Sequence, residues 1–211
     1  MSNGRVFLVD DDDSVLRALE RLLREANFDV SAFKSPEAFL LQHDIKTPGC
    51  AVLDVMLGEH NGLDLLRALA GTGQMRPTIF ITGKGNIRMS VQAMKSGAID
   101  FLTKPVQATD LIEAVQRAIN RDHQDREENA KLTQIGTRLS SLTPKEGEVL
   151  GHVVSGRLNK QIAADLGISE KTVKVHRGRI MSKMCVRNIA DLVRIVNPSF
   201  LRSNNSDTRR R

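Results

Sequence analysis

Short apolar runs separated by amphipathic stretches dominate the first 120 residues and leave few folds open to them. Val6-Phe7-Leu8-Val9, Ala51-Val52-Leu53, Thr78-Ile79-Phe80-Ile81 and Ile99-Asp100-Phe101-Leu102 are too short for helices and nearly continuous in apolar character. That is the pattern of parallel strands buried on both faces. A weaker strand is expected near Asp29–Ala32. After the first run, Val15, Leu16, Leu19, Leu22, Leu23 and Ala26 recur at spacings of three and four and so line one face of a helix. Further helices are expected near 35–43, 62–70 and 86–96, and from 108 onward, where Leu111, Ile112, Val115, Ala118 and Ile119 make a core-facing stripe. Five strand–helix units in succession predict an α/β fold with a doubly wound parallel sheet.

In such a sheet ligands bind beyond the carboxyl ends of the strands. The residues expected there are Asp10-Asp11-Asp12-Asp13 after the first strand, Asp54 after the third, Thr82 after the fourth and Lys104-Pro105 after the fifth. Carboxylates gathered on one rim repel unless a cation sits among them, and hard oxygen donors suit Mg²⁺. A hydroxyl at Thr82 and an ammonium at Lys104 are the groups that would surround a phosphoryl. An aspartate can itself be the nucleophile, forming an acyl phosphate with metal assistance. Asp12 and Asp13 read more simply as acids at a helix N-terminus. Thr82 or Lys104 taken singly would be a loop hydroxyl or a solvated cation, so the signal is the combination.

Val9-Asp10-Asp11, Leu53-Asp54 with Gly62 eight residues on, Ile81-Thr82-Gly83 and Phe101-Leu102-Thr103-Lys104-Pro105 together resemble the receiver domain of response regulators across residues 5–121. The resemblance implies a five-stranded flavodoxin/CheY-like receiver in which Asp54 accepts phosphate from a sensor histidine kinase. It implies Mg²⁺ on Asp11, Asp54 and the carbonyl of Met56, with Asp10 assisting. It also implies Lys104 on the phosphoryl, a switch pair of Thr82 and Phe101, and a cis Lys104–Pro105 peptide. Lys95, Asp100, Glu113 and Arg117 offer opposite charges for a symmetric dimer of the phosphorylated form. Two stretches depart from the family. Leu57-Gly58-Glu59 stands where Met-Pro-Gly is usual, and the missing proline predicts a looser loop. Lys84 adds a cation near the phosphate, while Asn86 can cap the next helix.

Beyond Asn120 the sequence turns polar. Asp122/Arg126 and Glu127/Lys131 stand at i,i+4 and would support an exposed helix. Residues 121–135 therefore read as a helical connector ending near Gly136, with a floppy linker the alternative. Charge then changes sign along the chain. Residues 1–120 hold 13 basic and 15 acidic side chains, whereas 138–211 hold 15 and 6, a net +9 that points to a polyanionic partner for the C-terminal part. There Asn159 can cap a short helix from Lys160 to Leu166, Gly167 supplies a left-handed turn, and Ser169 caps a second helix. Val173, Ile180 and Met184 bury one stripe of that helix and leave Lys171, Lys174, Val175, Arg177 and Arg179 outside, a helix-turn-helix pattern.

Leu142-Thr-Pro-Lys-Glu146, Asn159-Lys160-Gln-Ile162-Ala163, Leu166-Gly-Ile-Ser169 and Thr172-Val173-Lys174-Val175-His176 resemble the four-helix DNA-binding domain of the FixJ/NarL/LuxR group over 138–196. The resemblance places Lys174, Val175 and position 178 at base edges of promoter DNA. It places Lys160, Thr172, His176 and neighbouring cations on phosphates; packing is the other role open to His176. Position 178 is Gly here, so Arg177 or Arg179 would substitute. The limits expected are a receiver over 1–121, a helical linker over 122–137, an all-α helix-turn-helix domain over 138–197 and a disordered basic tail over 198–211. RNA polymerase is a further expected partner.

Other classes fit less well. Asp11-Asp-Asp13-Ser-Val15 fits an aspartate-based phosphatase motif only with its register shifted by one residue, and 120 residues leave no room for a cap. A constitutive DNA-binding protein with a degenerate receiver is weakened because every receiver residue is present. Apolar runs of four to six residues span no membrane, and no apolar signal segment precedes Val6. A cytoplasmic protein with two buried thiols, Cys50 and Cys185, is expected.

Overall fold

The structure is a computed structural model that describes residues 3–42, 44–58, 60–71, 76–83 and 87–196. Glu59, Lys84, Asn86 and the tail from Asn197, each the subject of an expectation above, lie outside those residues. The chain divides into two units, Met1–Arg126 and Glu127–Arg211.

Strands β1 (Arg5–Val9), β2 (Asp29–Phe33), β3 (Cys50–Asp54), β6 (Thr78–Thr82) and β7 (Asp100–Thr103) form one sheet in the order β2-β1-β3-β6-β7. Every pairing in it is parallel. Between them run α1 (Asp13–Glu25), α2 (Pro36–Gln42), α3 (Gly62–Gly71) and α4 (Ile87–Lys95), and α5 (Ala108–Ser140) follows. Alternate strand residues face opposite sides, which splits the core in two. Val6, Leu8, Cys50, Val52, Ile79 and Ile81 pack with Leu16, Leu19 and Leu23 of α1 and with Leu111, Val115 and Ala118 of α5. Phe7, Val9, Ala51, Leu53 and Phe80 pack on the other side with Phe39, Leu63, Leu66 and Leu69. The doubly wound five-stranded sheet expected from the sequence is present.

A short antiparallel ribbon, β4 (Met56–Leu57) with β5 (His60–Asn61), follows β3 directly. This ribbon occupies the stretch where a looser loop is expected without the proline. Gly58, at φ +62°, makes its turn, and the Gly58 N–H is held by Asp11.

Helix α5 also departs from expectation, passing through Gly136 without a break to Ser140. Asp122 and Arg126 are not an exposed pair. Asp122 is buried and accepts the Gly49 N–H at 2.8 Å. Arg126 bonds Asp122 at 2.7 Å and also donates to the carbonyls of Ile45 (2.6 Å), Thr47 (3.1 Å) and Lys46 (3.2 Å). Gly49 is the residue this site needs, because at φ +146° a Cβ would stand 2.3 Å from the Arg5 carbonyl oxygen. Further along α5, Ile135 and Leu139 pack into the core of the C-terminal unit, which gives the helix reason to continue past Gly136.

In the C-terminal unit α6 (Pro144–Val154), α7 (Asn159–Leu166), α8 (Glu170–Met184) and a helical segment over 189–196 supply Val149, Leu150, Val153, Ile162, Val173, Ile180, Met184, Leu192 and Val196 to one core. Thr143 and Glu146 close a capping box at the start of α6. Gly167, left-handed at φ +65°, ends α7, and Ser169 caps α8 through the Thr172 N–H, as expected. Asn159 does not cap α7. It is the first residue of that helix, and its side chain accepts from Arg177. Of the two cysteines only Cys50 is buried, its thiol pushed up to about 12 mainly by that burial. Cys185 is exposed because the last core position of α8 falls to Met184, and Cys185 itself turns left-handed at φ +54° to end the helix.

Candidate functional site

The carboxyl ends of β1, β3 and β7 bring together residues far apart in the chain. Asp10 and Asp54 are buried while Asp11 is exposed. One carboxylate oxygen from each of the three lies within 4.8 Å of the others. Lys104, after β7, reaches across the rim, its Nζ 2.7 Å from Asp10 Oδ2 and 2.5 Å from Asp54 Oδ2. Backbone N–H groups bind other oxygens of the cluster. Asp12 donates to Asp10 Oδ1 (2.9 Å), Met56 to Asp54 Oδ1 (3.0 Å) and Gly58 to Asp11 Oδ2 (3.0 Å). The residues lining the cleft are Asp11, Asp12, Asp54, Met56, Gly58, Gly83 and Lys104. The Lys104–Pro105 peptide is cis.

Burial and charge oppose each other here. Burial raises the Asp10 carboxyl above its ordinary value, outweighing the pull of Lys104. For Lys104 burial acts downward, but hydrogen bonds from its ammonium to Asp10 and Asp54 outweigh it and raise its pKa. Three carboxylates facing one ammonium leave an excess of hard anionic oxygens, a donor set that fits a small divalent cation such as Mg²⁺.

Thr82 ends β6, fully buried. It is paired in register with Thr103, and its carbonyl accepts the Lys104 N–H at 2.8 Å. Phe101 lies half-buried in β7 opposite Phe80 and packs on the core of that face. Gly62 acquires a physical reason as well: a Cβ there would sit 2.3 Å from the Asp54 carbonyl oxygen. The sequence reading missed Gly58, whose N–H holds Asp11; the only signal available was a glycine four residues after Asp54. Of the charges expected at a dimer face, Asp100 and Glu113 both face Arg117, at 2.5 and 3.8 Å, and Lys95 is exposed.

In the C-terminal unit α8 buries Val173, Ile180 and Met184 and exposes Lys171, Lys174, Val175, Gly178 and Arg179. Lys160, on α7, is exposed too. Thr172 Oγ1 lies 2.8 Å from Ser169 Oγ. His176 stands three residues after Val173 and four before Ile180, on the inner side of the helix. Among the described residues its Nδ1 is buried without a hydrogen-bond partner, which favours packing over phosphate contact. Arg177 is drawn toward α7, its Nη1 2.7 Å from Asn159 Oδ1. Arg177 and Asn159 are 18 residues apart, and nothing in either local pattern announced the link.

An acidic cluster on the carboxyl rim of a doubly wound sheet, followed in the same chain by a helix-turn-helix, defines a regulator with a receiver input and a DNA-binding output. Residues 6–116 match the response regulator receiver domain and residues 140–196 match the luxR family of bacterial regulatory proteins. The chain is 45% identical over 190 residues to the response regulator protein TmoT of Ectopseudomonas mendocina, covering 90% of this chain and 86% of TmoT. It is 38% identical over 195 residues to the transcriptional regulatory protein FixJ of Rhizobium meliloti, covering 92% and 96%. Among solved structures it is similar to the response regulator StyR, with a TM-score of 0.83 and 41% identity over 92% of this chain and 98% of that one. The chain belongs to the response regulators, with a receiver domain followed by a LuxR-type DNA-binding domain. Among the described residues, no helix is long and apolar enough to cross a membrane.

Proposed function

We propose that a sensor histidine kinase phosphorylates this chain on Asp54 and that the phosphorylated form dimerises and binds promoter DNA in the cytoplasm. The convergence of Asp10, Asp11, Asp54 and Lys104 on one rim carries this reading. An Asp54 carboxylate oxygen attacks phosphorus, and the bond to the donor's histidine nitrogen breaks. Asp10, Asp11, Asp54 and the Met56 carbonyl are the groups that would hold Mg²⁺, which offsets the charge of the transferring phosphoryl. Lys104 passes from the Asp54 carboxylate to a phosphoryl oxygen. Thr82 turns its hydroxyl to the same group, and Phe101 follows it inward; phosphate shifts this equilibrium only through its unequal affinity for the two arrangements.

The dimer face combines Lys95, Asp100, Glu113 and Arg117 with Ile87, Val91 and Met94, which α4 leaves exposed at i, i+4 and i+7. On DNA, Lys174 and Val175 face bases, while Lys160, Thr172 and Arg179 face phosphates. Arg177 serves the joint between α7 and α8 instead. RNA polymerase is the partner at the promoter. The receiver is assigned to residues 1–121, the helical linker to 122–137 and the DNA-binding domain to 138–197, alongside a division of the chain into units at Arg126 and Glu127.

The chain has no Trp or Tyr, so the test reads intact mass rather than fluorescence. With acetyl phosphate and Mg²⁺ the chain gains one phosphoryl group, and Asp54→Asn gains none. A phosphoryl group on the Asp54→Asn variant would sink the assignment. With beryllofluoride, sedimentation at tens of micromolar should show the mass double; an unchanged mass removes the dimer.

A further inference from the structure

Gly178 lies in the middle of α8, and among the described residues no contact requires a glycine there. Its backbone is helical, and a Cβ built on it meets no atom within 4 Å. Gly49 and Gly62 differ, since at each a Cβ would lie 2.3 Å from a carbonyl oxygen. Glycine inside a helix is unfavourable because its backbone loses the most freedom on folding. Gly136, Gly147 and Gly151 are equally open, so openness alone singles out no position.

Place does. With 3.6 residues per turn, Gly178 falls on one ridge with Lys171, Lys174 and Val175, all exposed, and away from the buried Val173, Ile180 and Met184. Arg177 and Arg179 stand on either side of that ridge, and Arg177 is bonded to Asn159. The ridge therefore carries long cations toward its N-terminal end and bare backbone at its centre. Val175, 47% exposed beside the gap, offers the apolar contact that a thymine methyl accepts.

We infer that Gly178 is a specificity-determining position, whose missing side chain lets the α8 backbone come directly against base edges in the major groove. This rests on the reading of α8 as the recognition helix. A side chain at 178 holds the helix off the bases, so the energy of the Lys174 and Val175 contacts falls with them.

The probe is a duplex enriched from a randomised library by the full-length chain with Mg²⁺ and beryllofluoride, beside a scrambled duplex of equal length and composition. Gly178→Ala is expected to lower affinity for the enriched duplex about tenfold, the range of a spoiled base contact, and to leave the scrambled duplex within about twofold. Gly178→Leu loses more. In the same Gly178→Ala chain, hydrogen exchange across residues 170–184 slows by about three- to fivefold, as alanine favours the helix. Unchanged affinity with slowed exchange overturns the inference, and so do an equal loss on both duplexes, a loss that does not grow from Ala to Leu, or faster exchange. Lys174→Ala separates the two levels of failure. If it costs affinity on the enriched duplex while Gly178→Ala does not, only the clearance at Gly178 is wrong. If neither variant matters, or no duplex is enriched, the recognition-helix reading fails and takes the inference with it.

Discussion

Glu146 joins two helices through one carboxylate. It is buried, accepts the Thr143 N–H at 2.9 Å to complete the α6 cap, and receives Lys183 of α8 at 2.7 Å. The Lys183 hydrogen bond first, and the Thr143 N–H next, hold its carboxyl at about 2 rather than the ordinary 4.5. A folded-state pKa below the unfolded one gives stability that is complete above the unfolded value and lost as acid reaches the folded one. The C-terminal unit should therefore lose stability as pH falls from 4.5 toward 2, and Glu146→Gln should flatten that loss. Thermal unfolding followed by circular dichroism across this range checks it; parallel curves for the two chains would remove Glu146 from the account. Half of this arrangement had a sequence signal that went unread as a cap, since Thr143-Pro-Lys-Glu146 has the spacing of a capping box. The Lys183 partner is 37 residues away and had none. Asp10, Asp11, Asp54 and Lys104 were legible for the opposite reason: each sits where a strand ends, so the topology alone predicts their meeting even across the 94 residues from Asp10 to Lys104.

Among the elements, α5 diverges most from its sequence pattern, and the reason lies at Asp122 and Arg126. Spacing of i,i+4 with opposite charge is the usual mark of a solvated helix face. Here the same spacing puts both side chains against the 44–49 segment, where backbone N–H and carbonyl groups need partners. Periodicity reports which face of a helix is apolar, and it carries no information about a polar face that meets an unpaired loop. The strands were better predicted because their burial on both faces leaves a continuous apolar run. Asp122→Ala leaves the buried Gly49 N–H without its acceptor, a loss of about 1–3 kcal/mol. Cys50, next in the chain and fully buried, reports the effect. With Cys185 already blocked, thiol labelling of Cys50 should quicken by about tenfold for each 1.4 kcal/mol lost. An unchanged labelling rate would show that the Asp122 contact adds nothing to the receiver.

For the molecule as a whole, packing carries the C-terminal core further back along the chain than the change of charge does. The acidic excess ends with the connector, and the net +9 is counted from residue 138, which invites a cut there. The C-terminal core begins earlier, since Ile135 and Leu139 of α5 pack into it and Arg138 donates to the Met184 carbonyl at 3.1 Å. A fragment of residues 127–211 should therefore fold and bind DNA without phosphate, while one starting at 138 lacks Ile135. Losing a half-buried isoleucine costs about 1 kcal/mol, which lowers the midpoint of so small a unit by about 4–8 °C. On DNA the longer fragment should lose affinity linearly in log salt, as phosphate contacts release counterions. Lys160→Ala should flatten that slope by about one contact. Arg177→Ala should leave the slope alone, because its guanidinium is engaged with Asn159 rather than with phosphate. Thermal melts of the two fragments and binding at several salt concentrations test both claims together. Equal melting temperatures would deny Ile135 its place in the core, and a slope flattened equally by Arg177→Ala and Lys160→Ala would put Arg177 back on the DNA.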